Sequence, residues 1–99
     1  MNQGILFPEL AAWQPDEQRI HFPAQQMGAL INCYISRRRL EKMTGLSLVK
    51  EEDILRAFES VRFDIEDIAE KLIEEQEFAE DGSIYTLSVP SFFSKRRNL

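Results

Sequence analysis

The only histidine and the only cysteine of the chain, His21 and Cys33, are the first residues to weigh for chemistry. A cysteine nucleophile needs a base beside it, so a Cys–His pair would have to use both side chains. Cys33 falls on the strand face predicted to enter the core, where free cysteine behaves as a small apolar residue. His21 points to the opposite face of its own strand, and whether the two meet depends on strand register. The sequence predicts no catalytic residue and no enzyme.

A row of carboxylates at helical spacing, Glu66, Glu70 and Glu74, is the second candidate site. Such a row supplies the oxygen ligands that Mg²⁺ and Ca²⁺ bind. The chain has no Asp- and Gly-rich calcium loop, however, and no histidine stands beside these acids. We therefore predict no metal ion and no cofactor, and expect the row to form the solvated face of an amphipathic helix.

Three consecutive arginines, Arg37, Arg38 and Arg39, follow Ser36, whose hydroxyl suits a helix N-cap. Positive charge in the first turn opposes the helix dipole by about 0.3–1 kcal/mol per residue, so a compensating negative charge is expected. One source is a bound anion, such as a nucleic-acid phosphate held by the guanidinium groups and the free N–H groups. The other source, internal pairing with the protein's own acidic segment, is favoured.

Other patterns of nucleotide and nucleic-acid binding are missing from the sequence. The four glycines form neither a phosphate loop nor a Gly-x-Gly-x-x-Gly motif. A helix-turn-helix around Thr44 and Gly45 would use a reading helix that starts with Glu51 and Glu52, and acids in that position repel phosphates. The sequence therefore argues against a nucleic-acid partner.

Acidic residues are concentrated in one helical segment. Residues 50–81 contain thirteen acids and four bases, whereas the whole chain carries a net charge of −5. Apolar residues recur here at spacings of three and four, at Ile54, Phe58, Val61, Ile65, Ile68 and Leu72. One straight helix would be about 43 Å long at 1.5 Å per residue. A domain of about 100 residues has a diameter of only about 26 Å, so the helix either bends or protrudes. We favour two helices or one kinked helix, with Ser60 and Asp64 available to cap the second.

Strands are predicted on both sides of the helical region. Residues 5–7 form a short apolar run, residues 19–22 alternate until Pro23, and residues 28–35 alternate throughout. Residues 84–89 form a last alternating segment after an Asp-Gly turn. The predicted fold class is α+β: a small, mostly antiparallel sheet of three to four strands, packed in two layers against two to three helices.

The predicted core lies between the acidic segment and the sheet. A short helix over residues 37–44 should end at Gly45, a natural C-terminal stop. The apolar stripe of the acidic segment should cover the strand face that carries Cys33. The predicted anchors of this core are Phe22, Ile31, Ile35, Leu40, Phe58, Ile65, Ile68 and Leu72.

Length and composition indicate one small domain. The chain has 99 residues, of which 43% are hydrophobic and 29% charged. Residues 1–89 are predicted to form this domain, and residues 90–99, with Phe92 and Phe93 beside three basic residues, a flexible tail. A lone cysteine and the lack of a signal sequence indicate a cytoplasmic protein. The apolar runs fall short of the roughly 20 residues that span a bilayer.

Three stretches of the chain resemble the domain of unknown function 1488 family of small bacterial proteins. They read NQGILF at residues 2–7, IHFPAQQ at residues 20–26 and FESVRFDIEDIAEKLI at residues 58–73. The resemblance spans residues 2–87 and stops before the tail. It implies a compact α+β fold in a bacterial, cytoplasmic setting, and it brings no established activity and no catalytic residues.

The function predicted from these features is a non-catalytic protein-interaction or regulatory adaptor. Its acidic helix face, with Glu66, Glu70 and Glu74, would contact a basic partner or a second copy of the chain, since complementary charge favours such an encounter. The alternative is binding of an anion or a nucleic-acid phosphate through the three arginines.

Overall fold

The structure is a computed structural model that describes residues 4–86. Within these residues, four strands precede three helices, and a fifth strand follows them. The elements are β1 (Ile5–Leu6), β2 (Ala12–Gln14), β3 (Arg19–Gln26), β4 (Ala29–Ser36), α1 (Arg37–Thr44), α2 (Glu51–Ser60), α3 (Arg62–Glu74) and β5 (Ile84–Tyr85). The predicted α+β class is confirmed.

The hairpin of β3 and β4 forms the centre of the sheet. The two strands are antiparallel over their full length, with Phe22 opposite Cys33. Both residues of the connecting turn, Met27 and Gly28, have positive φ angles of 53° and 83°. A type I′ turn requires positive φ at both central positions, and its twist matches that of the flanking strands. The turn therefore fixes the register that sends Phe22 and Cys33 to the core side.

The prediction that Pro23 ends β3 is wrong, because β3 continues to Gln26. Arg37 N donates to Gln18 O at 3.0 Å. In an antiparallel ladder, hydrogen-bonded and non-bonded residue pairs alternate. Counted from the bonded pair of Gln18 and Arg37, Pro23 belongs to a non-bonded pair, so its nitrogen points away from β4. On that side β2 pairs only residues 19–21 and β1 only residues 25–26. Pro23 thus lies in a gap between two short strands, where its missing N–H removes no ladder bond.

The sheet has five strands among the described residues, rather than three to four, and it is mixed. The strand order is β1-β3-β4-β5, and β2 also pairs with β3. β5 is parallel to β4, since the chain crosses the sheet through three helices before it returns. The additional strand is β2, whose three residues are too few to produce a period in the sequence.

The first helix begins and ends as predicted. Ser36 Oγ accepts a hydrogen bond from Arg39 N at 3.0 Å, so Ser36 is the N-cap. Gly45 ends α1 in the left-handed conformation, with φ 74°, and its N–H donates to Glu41 O. A residue with a Cβ would be strained at this φ.

The acidic segment forms two consecutive helices, one of the two shapes that the sequence favours. The chain turns at Val61, whose φ is −121° and ψ 21°. The predicted capping by Ser60 and Asp64 is wrong: Ser60 Oγ donates back to Ala57 O at 2.6 Å, and α3 has no side-chain cap. The break keeps both helices on the same face of the sheet.

The core lies between the sheet and the helices, as predicted. Phe22 and Phe58 are fully buried, and their ring centroids are 5.3 Å apart. Of the predicted anchors, only Ile68 differs, because it is half-buried at the margin of the core. The other predicted anchors are buried.

The predicted end of the last strand, at residue 89, and the predicted tail, residues 90–99, lie outside the described residues. In residues 4–86, no helix combines the length and the apolar character needed to cross a bilayer.

Candidate protein-interaction surface

A groove opens where α2 meets α3, beside the connection between β1 and β2. It has a volume of about 550 Å³, and its walls combine aromatic rings with carboxylates. The residues that line it are Phe7, Glu9, Glu59, Arg62, Phe63 and Glu66. We call it the Phe63 groove.

Arg62 holds the walls of this groove together. Its Nε donates to Glu66 Oε2 at 2.7 Å, and its Nη1 donates to Glu59 Oε2 at 2.8 Å. Its Nη2 donates to the carbonyl oxygens of Pro8 at 2.8 Å and Leu10 at 3.2 Å. One guanidinium therefore joins both acidic helices to the connection between β1 and β2.

The surroundings of Arg62 keep it charged and fixed. Its side chain is 11% exposed and that of Glu66 is 17% exposed. Burial by itself lowers the pKa of Arg62, but hydrogen bonds to Glu66 and Glu59 and their negative charges outweigh burial and raise it. The guanidinium carbon also lies 5.1 Å from the centroid of the Phe58 ring. Arg62 is thus a structural cation with its donors engaged.

Phe63 projects from the acidic surface beside this fixed cation. It is 83% exposed, and the neighbouring Asp64 and Asp67 are exposed as well. Leu10, whose carbonyl oxygen binds Arg62, is also exposed. Single exposed apolar residues are common on protein surfaces. An exposed aromatic ring at the mouth of a groove, ringed by carboxylates, has the composition of a binding anchor, because aromatic residues dominate the energetics of interfaces.

The carboxylate row predicted from the sequence lies on one face of α3, but it is less free than expected. Glu66, Glu70 and Glu74 are all half-buried. Glu66 is bound to Arg62, and Glu74 Oε1 lies 3.9 Å from Lys71 Nζ. The helical spacing places the three acids together, while the ion pair of Glu66 with Arg62, one turn earlier on the same helix, removes Glu66 from the accessible set.

Glu70 belongs to a second, more open groove along α3. This groove has a volume of about 500 Å³, and Asp64 and Asp67 line it with Glu70, together with Ile68 and Lys71. None of these three acids has an ion-pair partner among residues 4–86. The unpaired acids of this groove are therefore Asp64, Asp67 and Glu70, of which only Glu70 belongs to the predicted row.

The three arginines of α1 have different environments. Arg37 donates from Nε to Gln18 Oε1 at 2.8 Å, and from Nη1 to Glu41 Oε2 at 3.2 Å and to Leu48 O at 3.1 Å. Its carboxylate partner thus comes from its own helix, rather than from the acidic segment as the sequence suggested. Arg37 holds α1 to the turn before β3 and to the loop before α2.

The other two arginines are less engaged. Arg38 is exposed. Arg39 is half-buried, and its Nε is inaccessible to solvent and has no hydrogen-bond partner among residues 4–86. The cluster therefore consists of one arginine that is fixed by contacts within the protein, Arg37, followed by two whose guanidinium groups are less engaged.

The geometry separates His21 from Cys33. His21 is opposite Tyr34 and Cys33 is opposite Phe22, so the two side chains project to different faces of the sheet. His21 Nε2 lies 2.9 Å from Asn32 Oδ1. Burial raises the pKa of the Cys33 thiol to about 12, which leaves it protonated and unreactive at neutral pH.

The described residues also lack a cluster of metal-ligating side chains. Among residues 4–86, no group of three or more histidine, cysteine, aspartate or glutamate side chains is arranged to hold a metal ion.

The sequence interpretation missed Phe63 and the role of Arg62. Phe63 lies outside the apolar stripe of its helix. This mismatch was the signal in the sequence that the ring would be exposed rather than buried. Arg62 gave a partial signal, because Glu59 and Glu66 lie three residues before it and four residues after it, at the spacing of helical ion pairs. Two of its partners are carbonyl oxygens more than fifty residues away, and only the tertiary structure brings them together.

Comparisons with known proteins agree with this architecture. The uncharacterized protein YrdB of Escherichia coli (strain K12) is 35% identical over 86 residues, which cover 86% of this chain and 98% of that protein. The YrdB protein of Shigella flexneri is 34% identical over the same share of both chains. A crystal structure at 1.60 Å of a protein of unknown function from Shewanella loihica PV-4 is 43% identical, with a TM-score of 0.86.

The structural match covers 91% of this chain and 99% of the Shewanella protein, which is described as a member of the DUF1488 family. The family model described as "Protein of unknown function (DUF1488)" matches residues 5–85, which include every strand and helix described above. The chain therefore belongs to the DUF1488 family, a group of small bacterial α+β proteins of unknown function.

Proposed function

We propose that this protein is a non-catalytic interaction or regulatory adaptor that binds a basic protein segment at the Phe63 groove. The observation that carries the proposal is the 83% exposure of Phe63 amid carboxylates without ion-pair partners in residues 4–86. An apolar anchor supplies affinity when it is covered, and the surrounding charge selects the partner.

The chemistry of the groove defines the partner. Glu9 and Glu59 stand on its walls, and Asp64 and Asp67 lie beyond Phe63. A segment that carries lysine or arginine on either side of an apolar side chain would match both features. A second copy of this chain would offer fewer cations to the site than such a basic segment, because its helical layer is itself acidic.

The test compares two variants with the same change in charge. The first combines Asp64→Asn, Asp67→Asn and Glu70→Gln, and leaves Glu66 intact because Arg62 needs it. The control neutralises three acids away from the groove, Glu51, Glu52 and Glu77, by substitution with glutamine. Affinity capture from a bacterial lysate should recover a basic partner with the wild type and the control, but not with the first variant.

Self-association is checked in the same experiment by light scattering. A mass of two chains that falls to one in Phe63→Ser would identify a second copy as the partner. A monomeric protein whose captured partners are the same in all variants would refute the adaptor proposal.

Anion binding through α1 is a second candidate function. The buried Nε of Arg39, which has no partner among residues 4–86, favours it, and Arg38 beside it is exposed. Calorimetric titration with inorganic pyrophosphate should detect binding that Arg38→Gln and Arg39→Gln weaken. Arg56→Gln, which changes an exposed arginine on α2, is the matched control. Equal heats in all three variants would exclude the candidate.

A further inference from the structure

The predicted tail, residues 90–99, has the chemistry that the Phe63 groove selects. It combines an aromatic pair with a run of three bases: Phe92, Phe93, Lys95, Arg96 and Arg97. The segment contains no aspartate and no glutamate. We call it the basic tail. A negatively charged surface that also exposes an aromatic ring would attract the bases of this segment and cover its rings.

The surface around Phe63 is complementary to the basic tail in charge. Asp64 and Asp67 are exposed, and neither has an ion-pair partner among residues 4–86. Glu9, on the wall of the Phe63 groove, is exposed as well. Lys71, which lines the groove along α3, pairs with an acid of its own helix. The net charge around the ring is therefore negative, and three bases of the tail would offset it.

The spacing of the basic tail matches the spacing of these residues on α3. Phe63 and Asp67 are four residues apart, a rise of about 6 Å along a helix. Phe93 and Lys95 are two residues apart, about 7 Å in an extended chain. Placing Phe93 over Phe63 therefore brings Lys95 close to a carboxylate. Along α3 this carboxylate is Asp67, and in the opposite direction it is Glu59, on the wall of the groove.

The point at which the tail leaves the fold lies within reach of this surface. Thr86 is fixed directly after β5, because its N–H and its hydroxyl both donate to Tyr34 O, at 2.9 and 2.8 Å. β5 contacts α3, and this helix of 13 residues is about 20 Å long. The seven residues from Thr86 to Phe93 span up to about 25 Å, so the chain is long enough to follow α3 as far as Phe63.

From this match we propose that the basic tail docks on the Phe63 groove of its own chain and competes there with the basic partner. The inference rests on the proposed function for the role of the groove, and it adds the regulation of that groove. A tether of this length produces an effective concentration on the order of 1 mM. With a Kd of about 0.1 mM for the tail, roughly ten grooves in eleven are covered, and an added basic peptide binds about tenfold more weakly. Only a partner that binds tightly enough to displace the tail is then accepted.

Docking is tested first with a nitroxide label on the tail of the full chain. Ser94→Cys supplies the attachment site, because Cys33, the only native cysteine, is fully buried. Nuclear magnetic resonance at low salt should then show broadened amide signals for Phe63, Asp64 and Asp67, which sharpen when the nitroxide is reduced. High salt should weaken the broadening, because it screens exposed charges.

Competition is tested with a fluorescein-labelled peptide that has the sequence of residues 87–99. A neutral-tail variant of the full chain carries Lys95→Gln, Arg96→Gln and Arg97→Gln. Fluorescence anisotropy at low salt should show that this variant binds the peptide about tenfold more tightly than the wild type, whose groove is already covered. Adding Phe63→Ser to the variant should abolish this gain, whereas adding Phe78→Ser, which changes an exposed ring outside the groove, should keep it. Circular dichroism checks the fold of each variant.

The outcomes separate tail docking from the proposed function. Equal peptide affinity in the wild type and the neutral-tail variant, or absence of broadening, would overturn tail docking, while a basic partner captured through the acids of α3 would still support the adaptor. Docking with no captured partner would support the tail inference and refute the adaptor. Broadening that arises only when isotope-labelled protein is mixed with separate nitroxide-labelled protein would place the tail on a second copy and overturn docking within one chain.

Discussion

Replacing Arg62 tests whether its guanidinium holds the two acidic helices to the sheet. Arg62→Met keeps much of the aliphatic volume and removes all four hydrogen bonds at once. Removing one partner of a buried ion pair costs about 3–5 kcal/mol. Glu66 is 17% exposed but Glu59 is 59% exposed, so water can replace part of what Glu59 loses. We expect the free energy of unfolding to fall by about 2–4 kcal/mol.

The assay is thermal and urea unfolding followed by circular dichroism. For a domain of this size, each kcal/mol lowers the melting temperature by about 4–8 °C, so Arg62→Met should melt at least about 8 °C below the wild type. The matched control is Arg56→Met on the neighbouring helix. Arg56 is 74% exposed and, among residues 4–86, pairs only with Asp53, so its loss should cost at most about 0.5 kcal/mol.

The comparison between the two variants decides the outcome. If Arg62→Met and Arg56→Met unfold at the same urea concentration, the network around Arg62 contributes nothing, and the fixed shape of the Phe63 groove would need another explanation. Salt provides a further check. Any effect of the exposed Arg56 pair should vanish in high salt, whereas that of the buried Arg62 should persist.

Three further predictions concern stability and reactivity. Phe58→Ala empties a fully buried site and should cost about 3–5 kcal/mol, whereas Phe63→Ala should cost about 0.5 kcal/mol or less; similar urea midpoints would contradict the assigned burial. Ser36→Ala removes the cap of α1 and should cost about 1 kcal/mol, which Ser36→Asp should restore in the same assay. Cys33 should resist a thiol reagent until the protein unfolds, because its pKa is raised to about 12. As pH rises, the thiol ionises in the unfolded chain before it does so in the folded protein, so the contribution of Cys33 to the free energy of unfolding should decline from about pH 9 to pH 12. An equally large loss of stability over this range in Cys33→Ala would refute this.

The sequence alone determined most of the local structure, because local structure follows from local rules. The apolar spacing of residues 50–74 predicts the amphipathic helices and their buried face. Ser36 and Gly45 mark the ends of α1 through a side-chain acceptor and a left-handed residue, both of which can be read from residue type. The alternation of β4 correctly assigned Cys33 to the core and Tyr34 to the outer face.

Local rules failed where a neighbouring element decides the outcome. Pro23 ends a strand only if its missing N–H was needed, and the gap between β1 and β2 removes that need. The acidic row was expected to be solvated, yet Glu66 is paired with Arg62, whose guanidinium is fixed in place by carbonyl oxygens of the connection between β1 and β2. The short strands β1 and β5 lie within predicted strand segments, whereas β2 was not predicted, because its three residues carry no pattern of their own and its pairing with β3 stabilises it.

The candidate sites needed the tertiary structure most of all. Helical spacing places Phe63 outside the apolar stripe, but only the packing of the connection between β1 and β2 turns its surroundings into a groove. His21 and Tyr34 are thirteen residues apart, and Tyr85 is fifty-one residues further on. Strand register alone brings the three rings side by side on neighbouring strands. Periodicity fixes which way a side chain faces within its own element. Which side chains then share a surface is decided by contacts between distant segments, and these have no trace in the spacing of a single sequence.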